Sequence, residues 1–233
     1  MIRICLIGLI AALVSCPQFV SGDETSLRDI ARAVSKHKSV LGEILKLDGT
    51  NLGTGFAVAG GKVITAGHVA VGDTLLFDPF GKDNEPVRIA LGYKVRGLDL
   101  AILSPIDQTL QYCLKLGDFD RIGPGDSILY FGFIRDTLKV RYSTVYSQGQ
   151  MLNDGAVGQF IEFQSDAEPG FSGGPVFNRR AEVVAIIVHA YDMTDAKGKR
   201  PIRFARAVST NFLRIRETLV DTTTAVSTPR LTK

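Results

Sequence analysis

The feature of this sequence that most constrains its fold is a series of short apolar or alternating stretches, each cut off by a turn. They span 40–47, 55–59, 62–65, 74–77, 87–95 and 100–103. Asp48-Gly49, Gly60-Gly61, Gly72-Asp73 and Gly81-Lys82-Asp83-Asn84 separate them. Runs this short suit strands, and strands at such spacing suit a barrel or a sandwich. After a connector at 105–111, a second series follows at 113–116, 127–133, 138–146, 159–164, 176–177, 183–189 and 204–208. Gly123-Pro124-Gly125-Asp126 is a strong turn signal ahead of it. The expected chain is all-β, with two sets of about six strands at 39–104 and 112–219.

The ends read differently. Residues 1–22 have the pattern of an export leader: Arg3, an apolar run over 4–14, then Val20-Ser21-Gly22 before Asp23. The run is too short to span a bilayer comfortably. Leu13-Val14-Ser15-Cys16 also resembles the lipoprotein box, which would lipidate Cys16. The expected location is therefore periplasmic or secreted, with a membrane contact only through Cys16. Segment 23–38 should carry a short helix, because Leu27, Ile30, Ala31 and Val34 share one face and Thr25 or Ser26 can cap it. A second short helix is expected over 209–219, and a flexible tail over 220–233. Cleavage before Asp23 removes Cys5 and Cys16, so Cys113 is expected as a buried thiol without a disulfide.

Charge and composition narrow the partners. Lys plus Arg is 27 against 24 Asp plus Glu, a net +3 that demands no nucleic acid. Three His residues leave little material for a His-based metal site.

The chemistry concentrates in Pro169-Gly170-Phe171-Ser172-Gly173-Gly174-Pro175. A Ser on a glycine-rich turn presents a hydroxyl nucleophile, and the N–H groups of Gly170 and Ser172 could form an oxyanion hole. Such a hydroxyl needs a base, and His37, His68 and His189 are the choices. His68 ends the apolar run Val63-Ile64-Thr65-Ala66-Gly67. Asp99 stands beside the apolar run Leu100-Ala101-Ile102-Leu103. An unpaired carboxylate is costly to bury, so Asp99 must have a partner or stay exposed; an imidazole N–H would serve.

Thr65-Ala66-Gly67-His68, Asp99-Leu100-Ala101-Ile102-Leu103 and Gly170-Phe171-Ser172-Gly173-Gly174-Pro175 together resemble the motif blocks of the chymotrypsin-like (trypsin-like) serine peptidases, in that family's order. Gly53-Thr54-Gly55-Phe56, Gly123-Pro124-Gly125-Asp126, Phe131-Gly132, Pro169 and Phe204-Ala205 resemble the bacterial HtrA/Deg-like branch. The resemblance implies two six-stranded antiparallel Greek-key barrels with the site between them. It implies His68 as general base, Asp99 as its orienter and Ser172 as nucleophile, hydrolysing protein or peptide substrates without metal or cofactor. Phe171 departs from the Asp or Asn usual before the Ser, so activation by a freed N-terminal amine is not expected. No PDZ domain is expected after the second barrel. A second reading is a protease-fold binding or chaperone-like module with little hydrolysis.

The same resemblance bears on specificity. Asp166 falls where trypsin-like members carry the Asp that selects Lys or Arg. Ile187 falls on a pocket-wall strand and would favour small aliphatic side chains instead. His189 reads as a cleft-side or structural residue, and Glu168 as a rim charge.

Overall fold

The computed structural model describes residues 26–36, 38–81, 85–108, 110, 112–153, 156–194 and 202–211. The leader, His37, the expected closing helix beyond Asn211 and the tail lie outside the described residues.

Helix α1 (Leu27–Lys36) opens the described chain. Ser26 caps it, with its Oγ accepting from the Asp29 amide at 3.2 Å. Ile30, Ala31 and Val34 are the buried face, as the spacing predicts.

Among the described residues, twelve strands then form two closed barrels. The first comprises β1 (Leu41–Leu45), β2 (Asn51–Val58), β3 (Lys62–Ala66), β4 (Thr74–Pro79), β5 (Val87–Val95) and β6 (Leu100–Pro105). The second comprises β7 (Ser127–Ile134), β8 (Thr137–Asn153), β9 (Ala156–Gln164), β10 (Pro175–Phe177), β11 (Val183–Met193) and β12 (Ile202–Ser209). Their neighbour orders are β1-β2-β3-β6-β5-β4 and β10-β11-β12-β9-β8-β7, all pairs antiparallel. This is the chymotrypsin-like double barrel. Closure gives each strand a neighbour on both sides over part of its length. Phe56, Phe77, Val63 and Leu103 fill the first interior; Tyr130, Phe163, Val176 and Ile187 fill the second.

Two expectations need correction. Residues 113–116 are not a barrel strand. Leu114 bridges Val58 and Leu116 bridges Val183, so this segment runs from the end of β2 to the start of β11 and ties the barrels together. Its apolar alternation serves two different neighbours rather than one sheet. Cys113 is buried as expected, at 5% exposure. Its sulfur is nevertheless disulfide-bonded. That departs from the thiol expected without a disulfide.

Candidate active site

The site lies where the end of β3 meets the loop before β10. His68 follows β3 directly. Asp99 precedes β6, which pairs with β3 through Ala66 and Leu100. That pairing sets the two residues side by side. Asp99 Oδ1 accepts from the His68 backbone N–H at 2.7 Å, and Oδ2 lies 2.7 Å from His68 Nδ1. The Asp99 carbonyl also accepts from Gly67 N–H at 2.6 Å. Asp99 has φ 53°, in the left-handed region that Asp tolerates better than most residues. Both side chains remain partly exposed, 48% for His68 and 39% for Asp99. The pair thus meets both conditions derived for Asp99, a partner and solvent.

Ser172 sits on the crossing of the two barrels. Its carbonyl accepts from Thr54 N–H of β2 at 2.8 Å. The next residue, Gly173 (φ 87°), is pressed against β3: a Cβ there would lie 3.0 Å from Ala66 N and strike Thr65 Oγ1 and Thr54 O. No side chain fits, so the glycine after the nucleophile candidate is what lets the Ser172 loop approach the His68 strand. Gly170 has φ 109° and faces the carbonyl of Phe133. Among the described residues, no backbone acceptor is paired with the N–H of Gly170 or of Ser172. Two unpaired donors flanking one residue are the raw material of an oxyanion hole.

Phe171 is buried at 1% exposure, its ring 5.9 Å from that of Tyr130. β11 is stitched to the same loop: Gly173 N–H donates to the Ile187 carbonyl at 2.7 Å, and Ile187 N–H to the Gly174 carbonyl at 3.0 Å. The Ile187 side chain packs in the second core beside Tyr130 and Phe171.

Asp166 lies in an open cleft of about 920 Å³ shared with Arg141, Ile202, Arg203 and Phe204. Its carboxylate is already engaged. Arg141 Nε is 2.7 Å from Oδ2, and the Tyr130 hydroxyl donates to Oδ1 at 3.1 Å. Burial pushes the Tyr130 phenol up to about 12, so it stays a donor. His189 is exposed and stacks on Tyr191, centroids 5.9 Å apart. Glu168 is exposed. Among the described residues no cluster of His, Cys, Asp and Glu could hold a metal ion.

Two groups near the site escaped sequence reasoning. Thr54 is fully buried and bonded to the Ser172 loop. Glu43, its register partner across β1 and β2, is 4% exposed and faces Asp136 of the β7–β8 turn. Burial, then the Asp136 charge, pushes the Glu43 carboxyl up to about 7. Thr54 lay within the Gly53-Thr54-Gly55 motif, but its contacts are far away in sequence.

A family model described as a trypsin-like peptidase domain matches residues 53–186, more than half of the chain. A protein of Marinomonas sp. (strain MWYL1) named "Probable periplasmic serine endoprotease DegP-like" is 32% identical over 161 residues, covering 67% of this chain and 33% of that protein. A protein of Pseudomonas putida (strain F1) with the same name is 30% identical over 141 residues, 58% of this chain and 28% of that one. The chain spans about a third of the length of these curated relatives. Among solved structures, the HtrA-type protease AlgW with decapeptide superposes with a TM-score of 0.63 at 20% identity, covering 82% of this chain and 67% of that chain. The active form of the Rv3671c protease from M. tuberculosis gives 0.60 at 15%, covering 84% and 88%. Both structural likenesses concern the fold.

Proposed function

The chain belongs to the trypsin-like peptidase family, and from that premise we propose that it is a serine endopeptidase acting through His68, Asp99 and Ser172. One observation carries the reading: Asp99 takes both the backbone N–H and Nδ1 of His68. With Nδ1–H held by the carboxylate, Nε2 is the basic nitrogen of the imidazole. It removes the Ser172 hydroxyl proton as Oγ attacks the scissile carbonyl. The N–H groups of Gly170 and Ser172 receive the negative charge that develops on the carbonyl oxygen. His68 returns the proton to the leaving amine, and an ester on Ser172 remains. Water then attacks that ester by the same proton traffic, which frees the acid and restores the hydroxyl.

The substrate is a polypeptide, with a small aliphatic side chain preferred over a basic one at the scissile bond. Asp166 supports this, because its charge is already met by Arg141. The reading extends to location: Arg3 and the apolar run 4–14 supply an export leader, and the relatives above are named periplasmic.

Fluorophosphonate labelling of the purified chain, beside Ser172→Ala, tests the proposal. Labelling of the parent alone, with hydrolysis of an unfolded protein substrate, is the expected result. A folded parent that takes no label and cleaves nothing would overturn it and favour a binding module on the same fold.

A further inference from the structure

Every polar atom of Thr54 is committed, and each commitment reaches a different part of the site. Its N–H donates to the Ser172 carbonyl at 2.8 Å. Its Oγ1 donates to the Gly170 carbonyl at 2.6 Å and accepts from the Phe133 N–H at 2.9 Å. Its own carbonyl accepts from Thr65 Oγ1 at 2.7 Å, in the strand that leads to His68. The residue is fully buried. It stands between two glycines, and the first is there for space: a Cβ on Gly53 would lie 2.7 Å from the Ser172 carbonyl and 2.7 Å from Val69 Cγ2. β2 therefore runs as close to the nucleophile loop as a chain can.

We infer that Thr54 is a positioning residue for the reaction, holding the Gly170–Ser172 loop of the second barrel in register with His68 of the first. The inference rests on the proposed peptidase function. Its logic is local. Gly170 and Ser172 each carry one N–H for the oxyanion and one carbonyl pinned by Thr54. Peptide units on a glycine-rich loop rotate easily, and the left-handed φ of Gly170 has no side chain to hold it. Fixing the carbonyls fixes the orientation of the peptide planes around the nucleophile. The hydroxyl does this while also securing Phe133 at the end of β7, the strand segment that backs Gly170. Val at this position keeps the shape and both backbone bonds but strips the hydroxyl. The Gly170 carbonyl and the Phe133 N–H would then lack a partner in a buried site, and both segments would shift to find one.

The test compares Thr54→Val and Thr54→Ser with the parent in peptide hydrolysis and in the rate of fluorophosphonate labelling. Thr54→Val is expected to lower kcat about 100-fold, the scale of a lost or misplaced oxyanion donor, with KM within about threefold. Thr54→Ser is expected to recover kcat to within about fivefold, since Ser also supplies a donor and an acceptor. The melting temperature is read alongside; should Thr54→Val not fold, Thr54→Ala takes its place against the same Ser rescue. An active parent with undiminished Thr54→Val turnover would overturn the positioning role alone. So would a Thr54→Ser variant as damaged as Thr54→Val. A folded parent that neither labels nor cleaves would overturn the peptidase reading and this inference with it.

Discussion

The ring of Phe171 occupies the space that a side chain on Gly132 would need. A Cβ built on Gly132 would fall on Cγ and Cδ1 of that ring and within 2.8 Å of Phe171 Cα. β7 can pass beneath the Ser172 loop only because it has no side chain there. The residue before Ser172 is therefore anchored by burial. Its amide and carbonyl are taken as well, by the Glu168 carbonyl at 3.1 Å and the Gly174 N–H at 2.9 Å. A loop held this way needs no carboxylate at position 171 and no freed amine to pair with it.

Phe171→Ala should empty that socket. Loss of a fully buried aromatic ring costs about 3–5 kcal/mol, which for a chain of this size lowers the melting temperature by roughly 6–20 °C. Turnover at a temperature where the variant is folded should fall as well, because the ring is what steadies Ser172. Calorimetry and peptide hydrolysis on one preparation check both. A variant as stable as the parent would show that the loop is held from elsewhere.

Asp99→Asn retains shape and one acceptor but reverses the donor logic at His68 Nδ1. The amide group can donate to Nδ1, which leaves Nε2 protonated and unable to take the Ser172 proton. Turnover should drop about 10⁴-fold with little change in stability, as a base in the wrong tautomer entails. Near-parental kcat in a folded variant would remove Asp99 from the reaction.

The frame of the molecule was legible because its signals are local. Strand runs and Gly-rich turns are written within a few residues of one another, so both barrels could be read from the chain. Element limits moved where the signal thinned: β2 begins at Asn51 rather than at 55, and β6 extends through Pro105 into the expected connector. The stretch 113–116 misled because alternation reports burial, not pairing, and its two leucines bridge to strands of different barrels. His68, Asp99 and Ser172 stood out because glycines and apolar strands frame each of them. Thr54 could not be read in the same way. Its hydroxyl meets a carbonyl 116 residues onward, and nothing near it in sequence marks a buried hub.

Arg141 gives a handle on specificity. Its guanidinium and the Asp166 carboxylate are 34% and 62% exposed, so their ion pair adds little to stability. Arg141→Ala should leave the melting temperature nearly unchanged but free the carboxylate for a substrate cation. In a peptide library, cleavage after Lys or Arg should rise about tenfold against the parent, and adding Asp166→Ser should cancel the gain. If neither variant alters the profile, Asp166 lies outside the primary pocket.

Glu43 makes stability depend on pH in an unusual direction. It lies beside Asp78 across β1 and β4, hydrogen-bonds the Asn51 amide, and meets Asp136 from the second barrel. Its carboxyl rises from 4.5 to about 7, through burial first and the Asp136 charge second. Asp78 is pushed up by the same two causes. Between those two values the folded chain holds a proton that the unfolded chain has released, so unfolding loses protons and stability falls as pH rises. The contribution of Glu43 is complete below pH 4.5 and lost on passing 7. Glu43→Gln keeps the shape and removes the titration. The parent should therefore lose about 1–3 kcal/mol between pH 5 and 7.5 that the variant retains, read as the difference between their urea midpoints across that range. The trend from Asp78, in the same direction, should remain in the variant. Parallel curves for the two proteins would show that the Glu43 carboxyl is ionised throughout and that its burial is offset by Asn51 alone.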